Sequence, residues 1–241
     1  MTERLYLKDC YLKEFTAKII DLTSNGVILD QTSFYPLSGG QLGDKGILKT
    51  ATNSYEVLNT IQKQGKIIHE LNSLDKLETG QSIQGKLDWK QRYGQMRVHT
   101  AQHIISRYFQ LNHNAETVST HLKNTESRVD LHPIGKLSPE NLSTIADEIN
   151  KIFGRNMPVS ISFLPREEAI QFLNEKEYQT KYLDMVPSAV KEFRIISIND
   201  YDWAACAGTH VKNSSEIGKV SLNKTKNKGK LRERITYSLI P

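Results

Sequence analysis

Cysteine is nearly absent from this chain: there are two in 241 residues, Cys10 and Cys206. A disulfide scaffold is excluded, and a bridge between the two is not expected in a compartment that keeps thiols reduced. Cys10 reads as a small buried hydrophobe. Runs of about 18 apolar residues are also missing, so no helix is expected to span a membrane. The opening Met1-Thr-Glu-Arg-Leu-Tyr6 has no apolar stretch of the secretory kind, which makes the cytoplasm the expected location. Gly-Lys-Ser/Thr does not occur, and no helical pattern follows Ser38-Gly-Gly-Gln-Leu-Gly-Asp44. Neither a phosphate-binding loop nor a dinucleotide fingerprint is therefore present, and no nucleotide cofactor is expected.

What is present fits an ordinary folded protein. Hydrophobic residues make up 38% and charged residues 24%, which is too apolar for a disordered chain. Positive charge is concentrated. Lys219, Lys224, Lys226, Lys228, Lys230, Arg232 and Arg234 stand against Glu233, a local +6 in a chain of +5. Two readings are open, a solvated lysine-rich hairpin or a contact for a polyanion.

The first 88 residues read as short strands parted by turns: Phe15–Leu22, Val27–Asp30, Tyr55–Ile61, Lys66–Leu71 and a closing segment from Gln81 to Trp89. Turns fall at Ser24-Asn-Gly26 and Gln62-Lys-Gln-Gly65, and such spacing fits a small β-barrel. From Asp88 the pattern changes to one long helix reaching Leu111. A second helix is predicted from Ser138-Pro139, an N-cap with proline at N1, to Gly154. Residues 165–173 read as a short helix. Val159–Phe163, Glu192–Ile198, Gly218–Asn223 and Leu231–Ile240 read as strands. The expected fold is α+β: a barrel domain over 1–88, then a domain over 89–241 with an antiparallel sheet and long helices.

Two motifs carry metal chemistry. His99-Thr-Ala-Gln-His103 puts two imidazoles one helical turn apart, about 6 Å between Cβ atoms, on one face. Cys206-Ala-Gly-Thr-His210 adds a thiolate and a third imidazole, and its Gly208 and the lead-in Asp202-Trp-Ala-Ala favour a loop over a helix for that segment. Three imidazoles and one thiolate form a zinc-type set, whereas magnesium and calcium prefer oxygen. The familiar zinc enzymes do not fit. A zincin needs Glu after the first His, where Thr100 stands. A nucleobase deaminase needs His-x-Glu and Pro-Cys-x-x-Cys, and a zinc finger packs its ligands far closer in sequence.

These motifs, in this order, resemble the editing domain shared by alanyl- and threonyl-tRNA synthetases. Thr32-Ser-Phe-Tyr-Pro-Leu-Ser-Gly-Gly-Gln-Leu-Gly-Asp-Lys-Gly46 resembles the Gly-rich motif before that domain in alanyl-tRNA synthetase and in free-standing AlaX-type proteins. The resemblance runs from about Tyr11 through Tyr237. The chain departs at Leu37, where the family usually has an acidic residue, and at Ala207 and Ser215, where it often has glycine.

The resemblance implies a trans-editing hydrolase with one Zn²⁺ per chain, held by His99, His103, Cys206 and His210. It would cleave mischarged tRNA(Ala), chiefly the seryl ester, with the glycyl ester as the secondary candidate. Substrate contacts are expected from Gly39, Gly40, Gln41, Ser119 and Thr120, and from Lys224, Lys226, Lys228, Lys230 and Arg232 on RNA phosphates. Gln102 and His121 are the catalytic candidates beyond the metal, while His69, His113 and His132 read as surface or core residues. Asp130 either orients a neighbour or makes a plain strand salt bridge. Zinc would either activate water or position the ester. The alternative is a non-catalytic tRNA-binding protein with a structural zinc.

Overall fold

The computed structural model describes residues 2–178 and 180–240. The chain forms two compact units: one takes residues up to His99 with Ser119–Arg128 and Gly208–His210, the other takes Thr100–Val118, Val129–Ala207 and residues from Val211 on.

The first unit opens with β1 (Glu3–Arg4), β2 (Glu14–Leu22), β3 (Gly26–Leu29), β4 (Gln31–Thr32), β5 (Gly46–Lys49), β6 (Ser54–Lys63), β7 (Lys66–Leu71) and β8 (Ser82–Leu87). Six of these close a barrel in the order β2-β3-β7-β6-β5-β8, with antiparallel neighbours. The sequence reason is alternation. Phe15, Ala17 and Ile19 of β2 and Ile83 and Leu87 of β8 point inward, while their neighbours are exposed. Period two is what a sheet with one dry face requires. Each such side chain contributes about 1.5–3 kcal/mol on full burial. Gln64 and Gly65 both have positive φ and join β6 to β7 in a two-residue hairpin, as primed turns demand.

A buried ion pair anchors the end of the Gly-rich loop. Arg92 and Asp44 are 0% and 1% exposed, and the guanidinium Nε lies 2.9 Å from the carboxylate. Arg92 also donates to the carbonyls of Ser33 and Cys10, so its donors are spent, as burial of a charge requires.

Helix α1 (Trp89–His113) supplies residues to both units; β9 (Glu116–His121) and β10 (Ser127–His132) follow it. In the second unit α2 (Pro139–Phe153) precedes β11 (Val159–Pro165), α3 (Arg166–Glu175), β12 (Glu192–Ile198), β13 (Asp202–Ala205), β14 (Lys219–Asn227) and β15 (Glu233–Ile240). One sheet has the order β14-β15-β10-β9, another β11-β12-β13. Helix α2 starts as the sequence predicts. Ser138 Oγ accepts from Asn141 N–H, Asn141 Oδ1 accepts from Ser138 N–H, and Pro139 occupies N1. Its Leu142, Ile145, Ala146, Ile149, Ile152 and Phe153 are buried. The Asn150 carboxamide pairs with both backbone groups of Val220 on β14.

The fold is α+β with an N-terminal barrel, as expected. Cys206–His210 is irregular chain, as expected, and the residues before it, Asp202–Ala205, form strand β13, paired with Ile195–Ile198 of β12 and not read from the sequence. Strands β5, β9 and β10 also carried no marked periodicity in the sequence.

Candidate metal centre

Helix α1 presents His99 and His103 one turn apart, and both are buried, at 5% and 6% exposure. Cys206–His210 is irregular chain after β13. The nitrogen and sulfur atoms that His99, His103, Cys206 and His210 can offer a metal all lie within 4.8 Å of one another. Ligands of one tetrahedral ion stand roughly 3.3–3.6 Å apart, given metal–ligand bonds of about 2.0–2.3 Å. Small rotamer adjustments therefore close the set on an ion, and the donor chemistry fits a thiolate-accepting metal.

His103 and His99 each have a partner on the side of Nδ1. His103 Nδ1 lies 2.9 Å from Asp202 Oδ2, with both side chains buried. Such carboxylate–histidine pairs hold a ligand's tautomer and direct Nε2 at the metal. Burial works against charge on the His103 ring, but Asp202 and the Cys206 thiolate outweigh it, and its pKa is pushed up to about 10. The environment therefore favours positive charge here, carried by a proton or by a cation. His99 Nδ1 lies 2.8 Å from Gln41 Oε1, and the His99 and His210 rings sit 4.4 Å apart, centre to centre.

The residues around the ligands are used structurally. Thr100, at the position where a zincin carries Glu, is buried and its Oγ1 accepts from Val211 N–H at 3.2 Å. The Cys206 N–H donates to the Arg194 carbonyl, and Arg194 Nη1 donates to the Cys206 carbonyl. The two cysteines form no disulfide, and Cys10 is buried.

The Gly-rich loop turns sharply. Ser38 and Gln41 exchange backbone hydrogen bonds, and Gly39 and Gly40 have φ of +55° and +84°. A Cβ on Gly40 would lie 2.6 Å from Thr120 Oγ1, and Leu122 N–H donates to the Gly40 carbonyl. The structure thus brings Gly40 and Thr120 together, with Ser119 exposed next to Thr120 on β9. Gln41, expected among the substrate contacts, is buried in this loop. It is 0% exposed, and its carboxamide engages Thr209 and His99.

Gln102 Nε2 donates to Ser106 Oγ, which is 2.6 Å from Thr117 Oγ1. His121 is half-buried on β9. Lys224, Lys226, Lys228 and Lys230 are exposed on β14 and the turn after it. Arg232 instead reaches Asp130, which Arg234 also clasps with Nε at 2.7 Å. Hydrogen bonding and charge from Arg234 hold the Asp130 carboxyl below the usual carboxylate range despite its burial. Asp130 is therefore a strand salt bridge. Asp202, Thr209 and Thr100 escaped the sequence reading. The only available signal was their nearness to the two motifs.

Comparison with known proteins agrees with this arrangement. Residues 6–91 match the family of class II (A) tRNA synthetases, and residues 193–236 match the threonyl and alanyl tRNA synthetase second additional domain. The alanyl-tRNA editing protein AlaX-M of Saccharolobus solfataricus is 34% identical over the whole of both chains. AlaX-M of Methanosarcina barkeri is 35% identical, again over both whole chains. AlaX-L of Pyrococcus horikoshii is 32% identical over 99% of this chain and 58% of its own length. With identity of this order along its full length, and with both motifs gathered at one place, the chain belongs to the AlaX family of alanyl-tRNA editing proteins.

Proposed function

We propose that the protein is a zinc-dependent trans-editing hydrolase that removes serine, and glycine as a secondary substrate, from mischarged tRNA(Ala). The observation that carries this reading is the gathering of His99, His103, Cys206 and His210 within 4.8 Å in a chain similar throughout to editing proteins. Zinc bound there supplies a Lewis acid beside the ester of the aminoacyl end. The division of labour is a barrel domain over 1–88 and an editing domain over 89–241.

The residues then take the following parts. His99, His103, Cys206 and His210 hold the ion, and Asp202 keeps His103 in the tautomer that leaves Nε2 free. Gly39 and Gly40 keep the loop backbone low beside Thr120, leaving Ser119 and Thr120 to contact the amino acid. A hydroxyl acceptor or donor at that point separates serine from alanine strongly. An apolar synthetase pocket rejects an added hydroxyl poorly, whereas a site built to pair that hydroxyl leaves buried polar groups unpaired when alanine enters. Gln102 and His121 are the candidates for moving a proton. Lys224, Lys226, Lys228 and Lys230 bind backbone phosphates of the acceptor stem, read by shape rather than sequence. Arg232, tied to Asp130, adds positive charge with less freedom.

A second reading is favoured by the four-ligand set itself. Structural zinc sites are closed by four protein ligands, whereas catalytic sites keep one position open. On that reading the protein binds tRNA without cleaving it. A deacylation assay on matched seryl and alanyl tRNA(Ala), with metal content measured on the same sample, separates the two. Chelator-sensitive loss of serine with alanine spared supports editing. Absence of turnover, with unfolding on chelation, supports the structural reading. Equal cleavage of both esters defeats the specificity.

A further inference from the structure

We propose that Gln41 is a positioning residue for the metal: its carboxamide sets the tautomer and ring orientation of His99, so that Nε2 is the coordinating atom. This rests on the reading that the four-ligand group holds a metal, and not on which ester is cleaved.

The geometry fixes the proton without ambiguity. Thr209 N lies 3.1 Å from the Gln41 side chain, at the same atom that faces His99 Nδ1 at 2.8 Å. A backbone N–H can only donate, so that atom must be the carboxamide oxygen. The other end of the amide, Nε2, then donates to Thr209 Oγ1 at 2.8 Å. An oxygen opposite His99 Nδ1 requires a hydrogen on Nδ1. A neutral imidazole carries only one, so Nε2 keeps its lone pair for the ion. The assignment usually left to network optimisation is here dictated by one peptide group.

The same side chain links both motifs. Through Oε1 it holds His99 of the first, and through both ends it holds Thr209 of the second. Gln41 and Thr209 are 0% exposed and His99 is 5% exposed, so water cannot replace a lost partner cheaply. The Gly39-Gly40 turn delivers Gln41 to this position. Leu42 N–H, one residue on, is received by Gln95 Oε1 at 3.2 Å. Asp44, at the end of the loop, is locked by Arg92. The loop therefore acts as a rigid bracket behind the ligand. Oε1 is shared by His99 and Thr209, so any direct contact between Gln41 and the amino acid is left to the second hydrogen of Nε2.

The test uses the full-length protein with Zn²⁺ and Co²⁺ as probes. Gln41→Met keeps length and removes the acceptor; Gln41→Glu keeps an acceptor oxygen. Zn²⁺ affinity, measured by competition with a chromophoric chelator, should fall about 10–100-fold in the Met variant, the usual cost of losing an outer partner of a ligand. It should be largely restored in the Glu variant, and the Co²⁺ absorption bands should shift in the Met variant alone. Unchanged Zn²⁺ affinity and Co²⁺ spectrum in a folded Met variant overturn the proposal, whatever happens to turnover. Should that variant fail to fold, ¹⁵N-histidine NMR of the Zn²⁺-loaded natural protein decides. A protonated Nδ1 on His99 supports the proposal, and a protonated Nε2 overturns it. A natural protein that binds no Zn²⁺ removes its premise and overturns it too. If Zn²⁺ binding responds as expected but no tRNA ester is cleaved, the editing reading falls and this inference stands.

Discussion

A β-carbon on Gly208 would lie 2.1 Å from Cε1 and 2.4 Å from Nδ1 of His99. The glycine of the second motif is thus a steric requirement of the first motif's histidine, although Gly208 itself is no ligand. Its neighbour Ala207 is exposed, so removing its methyl group is expected to leave His99 in place.

Gly208→Ala should accordingly push the His99 ring off its bond to Gln41 and weaken Zn²⁺ binding by about 10–100-fold. Ala207→Gly should leave it unchanged. Chelator competition on both variants, with circular dichroism to verify folding, checks the pair. Equal affinities for the two would show that the His99 ring moves aside freely.

Asp202 stands behind His103 as Gln41 stands behind His99. Asp202→Asn keeps the volume but removes the charge and allows the amide to offer either end to Nδ1. Zn²⁺ affinity is expected to drop by about 10–100-fold, with thermal stability in chelator much less affected. A variant that binds Zn²⁺ like the natural protein would leave Asp202 with a purely structural part in β13.

Much of this was legible because it is local. The bounds of β7 and β12 followed from β-branched runs between turn residues, and α2 from its Ser138-Pro139 start and Gly154 stop. The four candidate ligands were legible because histidine stands at i and i+4 in the first motif, and cysteine and histidine at i and i+4 in the second. The outer partners were not. His103 and Asp202 are 99 positions apart, and Gln41 and Thr209 are 168 apart. Neither pair leaves a period or a spacing in the sequence. Gln41 could be assigned to the right loop from the glycines around it, but not to the right partner. Which way a side chain turns from a loop depends on what is packed behind it.

His69 offers a pH test that does not involve the metal. It is 0% exposed, its Nδ1 donates to the Val27 carbonyl, and its Nε2 accepts from Thr32 Oγ1 at 2.8 Å. Both nitrogens are satisfied only in the neutral form. Burial pulls its pKa down from 6.5 to about 4, partly opposed by the bond to Val27. A depressed histidine means that the unfolded chain takes up the proton first as pH falls. The contribution to stability is whole above pH 6.5 and is lost progressively as pH falls towards 4. Between pH 7 and 4.5 the loss should be about 2–3 kcal/mol in urea unfolding. His69→Gln, which can reproduce both bonds but cannot titrate, should flatten that part of the profile. Parallel profiles for the two proteins would rule His69 out as the source.

The exposed lysines make the last prediction quantitative. Lys224, Lys226, Lys228 and Lys230 sit in one exposed segment, while Arg232 is partly committed to Asp130. If the four bind phosphates, each releases counterions on contact, and the logarithm of affinity falls linearly with the logarithm of salt. Replacing all four with Gln should weaken tRNA binding and reduce the magnitude of that slope by up to about four. Replacing Arg232 alone should change the slope less, because part of its charge is already met by a carboxylate. Zn²⁺ affinity should be untouched in both. Filter binding of tRNA(Ala) from low to moderate salt measures the slopes directly. An unchanged slope in the fourfold variant would return the segment to its plainer reading, a solvated hairpin, and place the RNA contact elsewhere on the molecule.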